Sequence, residues 1–105
     1  MHVAVKVHDS ARTDYEAWLA RLSQPPTGNA GIARAYAQEL IRLLKDHEGV
    51  PPGAVFRKDL NPPRWVFRYS SDTWVEFAHM ESRTGVWGGV IREVVITGLA
   101  THPPG

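Results

Sequence analysis

Three arginines and a histidine are the side chains of this chain best suited to act together. Arg64, Arg68, His79 and Arg92 all fall in segments where polar and apolar residues alternate. Arginine stays charged and grips phosphate bidentately, so such a set can stabilise the anionic transition state of RNA phosphodiester cleavage. Histidine titrates near neutrality and can move the proton of a 2′-hydroxyl or of the leaving group. Arg57, Lys58 and Arg83 are candidate RNA or phosphate contacts beside them. Residues 57–68 hold four basic residues and one acidic residue, enough to steer a polyanion or an acidic partner. Arginines that alternate with aromatics also describe the solvent side of an ordinary sheet, and both readings stand at this point.

Other chemistries find less support. The 105-residue chain has no cysteine, which removes disulfides, thiolate metal sites and cysteine nucleophiles together. His2 and His8 lie about 20 Å apart along an extended strand, too far to chelate one ion, and His47, His79 and His102 have no ligand-spaced neighbour. Neither a nucleophile elbow nor a phosphate-binding glycine motif occurs. Trp65, Trp74 and Trp87 can stack bases, although aromatics in hairpins more often form core. The 12 Lys+Arg against 11 Asp+Glu exclude a broad electrostatic grip on nucleic acid and leave room for a local contact.

The elements that must position these residues follow from periodicity. Val3, Val5 and Val7 alternate with His2, Ala4, Lys6 and His8, a half-buried strand. Asp9-Ser10 offers capping oxygens for a helix with Tyr15, Trp18, Leu19 and Leu22 on one stripe, and Thr13-x-x-Glu16 has capping-box spacing inside it. Pro25-Pro26 marks a loop. Asn29 is a natural N-cap for a helix over about 30–47, whose stripe is Ile32, Tyr36, Leu40, Leu43 and His47, widened by Ala33, Ala37 and Leu44. Gly49 and Pro51-Pro52 end it. Beyond Gly53 the period becomes two: a short strand at 55–58, strands over 64–70 and 73–80, and a last strand over 86–97. The expected fold is α+β, an antiparallel sheet with a helical hairpin on one face in the order β-α-α-β-β-β. Residues 1–100 form a single domain, with 101–105 as a flexible tail.

A two-residue turn at Ser71-Asp72 sets a register in which Ser70 faces Thr73, Tyr69 faces Trp74, Arg68 faces Val75 and Val66 faces Phe77. One side then holds Trp65, Phe67, Tyr69, Trp74, Glu76 and Ala78. The other gathers Arg64, Val66, Arg68, Val75, Phe77 and His79. A second turn centred on Arg83-Thr84 would add Arg92, opposite Val75, unless Gly88-Gly89 forms a bulge that reverses it. The three aromatics Trp65, Phe67 and Tyr69 bury more apolar area than the alternative set, so that side is expected to meet the helices.

The layout resembles the RelE/ParE superfamily of type II toxin–antitoxin toxins. The resemblance rests on the N-terminal strand running into His8-Asp9-Ser10-Ala11, the helical hairpin and the proline-rich link. It continues through Trp65-Val66-Phe67-Arg68 and the closing Val94-Val95-Ile96-Thr97-Gly98. It implies that the sheet face away from the helices is the working face, with Arg57, Lys58, Arg64 and Arg68 at the family's basic positions. It implies either a metal-independent endoribonuclease acting on ribosome-bound mRNA, or a non-catalytic protein binder that targets gyrase or only an antitoxin. The expected partners are an antitoxin protein and, for the nuclease, mRNA on the ribosome, with neither a cofactor nor a metal. Apolar runs fall far short of the ~18 residues that span a bilayer, and no secretory pattern opens the chain. A cytoplasmic protein without membrane contact is therefore expected.

Overall fold

A computed structural model describes residues 2–84 and 89–105, with the backbone alone for residues 82–84. Strand β1 (His2–Val7) leads through a single 3-10 turn (Asp9–Ala11) into helix α1 (Arg12–Leu22). Helix α2 (Ala30–Asp46) follows, and then β2 (Val55–Arg57), β3 (Arg64–Ser70), β4 (Thr73–Thr84) and β5 (Gly89–Ala100). The expected Thr13 capping box does not form: Thr13 lies inside α1, and His8 caps the preceding 3-10 turn instead. Asn29 caps α2 as expected, its Oδ1 accepting from the Ile32 amide at 2.9 Å.

The five strands form one sheet in the order β1-β5-β4-β3-β2. It is mixed rather than antiparallel, because β1 runs parallel to β5. The connection between these parallel neighbours runs through both helices and then through β2, β3 and β4, since the helices carry the chain from β1 to β2 at the opposite edge of the sheet. The class is α+β, with both helices on one side of the sheet. Trp18 of α1 and Leu40 and Leu44 of α2 close over Val3, Phe67, Phe77, Val94 and Ile96. The buried stripe of α2 runs through Ala33, Leu40 and Leu44, which leaves Tyr36 half-exposed.

The register differs from expectation at two bulges. Ser70 does pair with Thr73, but Tyr69 has no partner, and Arg68 therefore faces Trp74, Phe67 faces Val75 and Trp65 faces Phe77. Trp65, Phe67 and Tyr69 keep their place under the helices, while Val75 and Phe77 replace Trp74 and Glu76 beside them. Both newcomers are fully buried. The expected register would have sunk the Glu76 carboxylate beneath the helices, where an ion costs several kcal/mol. The observed slip buries a valine and a phenylalanine instead.

The second hairpin is longer than expected. Residues 81–84 continue β4, and Arg92 pairs with Glu81, while Val75 pairs with Leu99. Gly88 of the expected Gly88-Gly89 bulge and the ring of Trp87 lie outside the described residues, while Gly89 opens β5 opposite Thr84. The bulge that the structure does show is at Thr97: Glu76 pairs with Gly98 and Phe77 with Ile96, leaving Thr97 unmatched across β4.

Candidate functional site

The bulge at Tyr69 divides the expected constellation. Val75, Phe77 and His79 face the helices together with Trp65, so His79 does not join Arg64 and Arg68. Its ring stacks on Trp65 at 5.7 Å, and its Nε2 meets the Gly49 carbonyl at 2.6 Å. Arg92 lies on the same side, where it donates to the Glu48 carbonyl at 2.7 Å and to Glu81. His79 and Arg92 thus clasp the chain where α2 ends. Gly49 suits that junction, because its φ is +83° and a Cβ would lie 2.9 Å from Val94 Cγ2. The grouping of Arg64, Arg68, His79 and Arg92 on one side is corrected accordingly: two lie on each side.

On the open side of the sheet, most cations are already engaged. Arg64 donates through Nε to Glu76 at 2.5 Å and through Nη1 to the Pro62 carbonyl. This pair is largely shielded, with Arg64 20% and Glu76 15% exposed. Arg57 holds Asp59 with two hydrogen bonds, which draw that carboxyl down to about 2. Arg68 turns onto its own hairpin, donating to the Ser70 and Ser71 carbonyls with its guanidinium over Trp74. Lys6 pairs with Glu93. Lys58 is exposed and meets no carboxylate among the described residues. The Arg83 side chain lies outside the described residues.

Compared with protein-family models, curated proteins and solved structures, the chain matches none. The site therefore has to be judged on its own geometry.

That geometry includes a cavity of about 470 Å³ on the open side, lined by residues of three strands. His8 and Ser10 line it just after β1, with Arg64 from β3, Ala78 from β4 and Thr97 from β5, and Pro62-Pro63 forms a further wall. His8 Nδ1 accepts from the Ser10 amide at 3.1 Å and lies 2.8 Å from Ser10 Oγ. With Nδ1 accepting, the ring proton sits on Nε2. Thr97 Oγ1 is buried and bonds to no other group among the described residues. Gly98 makes the arrangement possible, since a Cβ there would come within 2.7 Å of Glu76 Oε2. Among the described residues, no three His, Asp or Glu side chains gather in a metal-binding cluster. No described helix is long and apolar enough to cross a membrane.

Sequence reasoning singled out Arg64 and missed His8, Ser10 and Thr97. His8 reads as the outer face of a strand, and Ser10 as a helix cap. Thr97 enters the site only through a bulge, for which the neighbouring Gly98 is the one signal in the sequence.

Proposed function

We propose that the chain is a RelE/ParE-like module that binds a protein, of the antitoxin or gyrase kind, through the open side of its sheet. This reading places it in the cytoplasm, as one member of a toxin–antitoxin pair. The strand–helix–helix–strand order supports the resemblance, with the first strand beside the last. The observation that carries the binding reading is the state of the basic residues. Cleavage of a phosphodiester needs uncommitted positive charge and a proton-transfer group at one place. Arg57 and Arg64 are instead neutralised by Asp59 and Glu76, Arg68 is folded onto its own turn, and His79 and Arg92 serve the helix side. A face whose charges are already matched suits a partner that brings its own polar and apolar groups in register.

The test uses the purified product of the adjoining reading frame, titrated calorimetrically into the chain. The account expects saturable binding that Met80→Asp or Arg68→Asp on the open side weakens at least about tenfold, roughly 1.4 kcal/mol. Loss of binding only on substitution of the helix side would overturn it.

A second reading, the ribosome-dependent endoribonuclease, is favoured by one feature. The cavity brings His8 and Arg64 together, a proton-transfer group beside a cation, although not the pair expected from the sequence.

A further inference from the structure

We propose that the open side between Trp74 and Arg57 is a groove for an extended, proline-containing segment of the protein partner, and that residues 101–105 of this chain occupy it in the free protein. This rests on the protein-binding reading and names the kind of segment that surface takes. The tail leaves β5 at Ala100, opposite Trp74. The Pro104 carbonyl then accepts from Arg57 Nη1 at 3.5 Å, and Gly105 lies against Arg57 and Leu60. Arg57 pairs with Arg64 and so shares its place on the open side. Three strand spacings, about 14 Å, separate β5 from β2. Four residues reach about 14 Å at most, so residues 101–104 have no slack to pass around the sheet and cross the open faces of β4 and β3. Val66 of β3 lies on that path. It pairs with Glu76 and faces away from both helices, yet it is only 5% exposed.

The groove selects a neutral, stiff ligand. Arg57 commits Nε and Nη2 to Asp59, which offsets its charge and leaves Nη1 for a main-chain carbonyl. A proline carbonyl suits that donor, because an amide oxygen brings no net charge to a matched ion pair. His102 precedes a proline, and Pro103 and Pro104 have fixed φ, so this stretch is held extended before it docks. Such a segment loses little entropy on binding and keeps its carbonyls free to accept. Trp74, Val66 and Val55 supply the apolar floor. Val55 is still 57% exposed, which leaves room for a longer segment than the chain's own. A partner segment displaces the tail and takes over the same contacts.

The experiment uses the whole chain and the probe acetyl-Thr-His-Pro-Pro-Gly-amide, with no partner present. The Trp74 indole and Val66 methyl resonances are followed by NMR. Pro103→Gly combined with Pro104→Gly frees the tail and should move these resonances, while the His79 ring on the helix side stays in place. Adding the probe to that variant should return them saturably toward their wild-type positions. The tethered tail competes at an effective concentration of roughly millimolar, so the wild type should bind the probe at least about tenfold more weakly than the variant. A probe with alanine for both prolines should bind the variant severalfold more weakly, and so should the variant itself once Val55→Asp is added. Trp74 and Val66 resonances indifferent to release of the tail would overturn its seating on the sheet. Equal binding of the proline and alanine probes, or of wild type and variant, would overturn the groove. Because the probe needs no partner, failure here is distinct from failure of the protein-binding reading, which is decided by the calorimetric titration.

Discussion

His79 shows how one side chain changes meaning with its face. Read from sequence it is a proton carrier beside arginines; in the fold it stacks on Trp65, packs at a tilt against Phe77 and bonds to the Gly49 carbonyl. His79→Ala should therefore act as a stability mutation, costing about 2–4 kcal/mol for a lost hydrogen bond and lost packing. Urea unfolding measures this, and a stability change below about 0.5 kcal/mol would contradict the assigned role. Tyr69 gives a second test at this scale. Its hydroxyl donates to the Tyr36 carbonyl at 2.9 Å. Burial, with smaller contributions from Glu39 and Tyr36, raises its ionisation from 10.0 to about 12. A phenol that ionises later in the folded than in the unfolded chain contributes stability in full below pH 10. That contribution is lost as pH climbs toward about 12. Ultraviolet titration should find a late-ionising tyrosine, and Tyr69→Phe should remove it.

At the scale of elements, the hydrophobic period was a dependable guide and the register was not. The valines of β1, the Trp18 stripe of α1, the Asn29 cap and the limits of β3 are all legible, because local alternation and capping chemistry fix them. The faces of β4 are not, because one unpaired residue at Tyr69 inverts the whole strand. The deciding physics was nevertheless present in the composition of β4. Placing Val75 and Phe77 inward keeps Glu76 out of the core, and weighing that carboxylate against Trp74 would have favoured the slip. The parallel pairing of β1 with β5 was illegible for another reason. It joins the two ends of the chain, and nothing local reports it. The Thr97 bulge makes its own prediction. Gly98→Ala should displace Glu76 from Arg64 and destabilise the fold by about 1–3 kcal/mol. It should also shift the His8 and Thr97 resonances. Full stability with unchanged resonances would count against the packing described for Gly98.

For the whole molecule, near-neutral charge and local pairing belong together. The 12 basic and 11 acidic residues are not only balanced in number, since Arg57, Arg64, Arg92 and Lys6 each have a carboxylate within reach. A surface balanced at this range has little long-range pull on a polyanion and depends on short-range fit. The central claim is that the open side of the sheet binds protein and does not cut RNA. A reconstituted translation system with purified ribosomes and a defined mRNA tests this most directly, with 5′ ends mapped after the chain is added at micromolar concentration. The account predicts intact message, identical for the wild type, Arg68→Ala and His8→Ala. Ribosome-dependent cuts that disappear with Arg68→Ala or His8→Ala would contradict it.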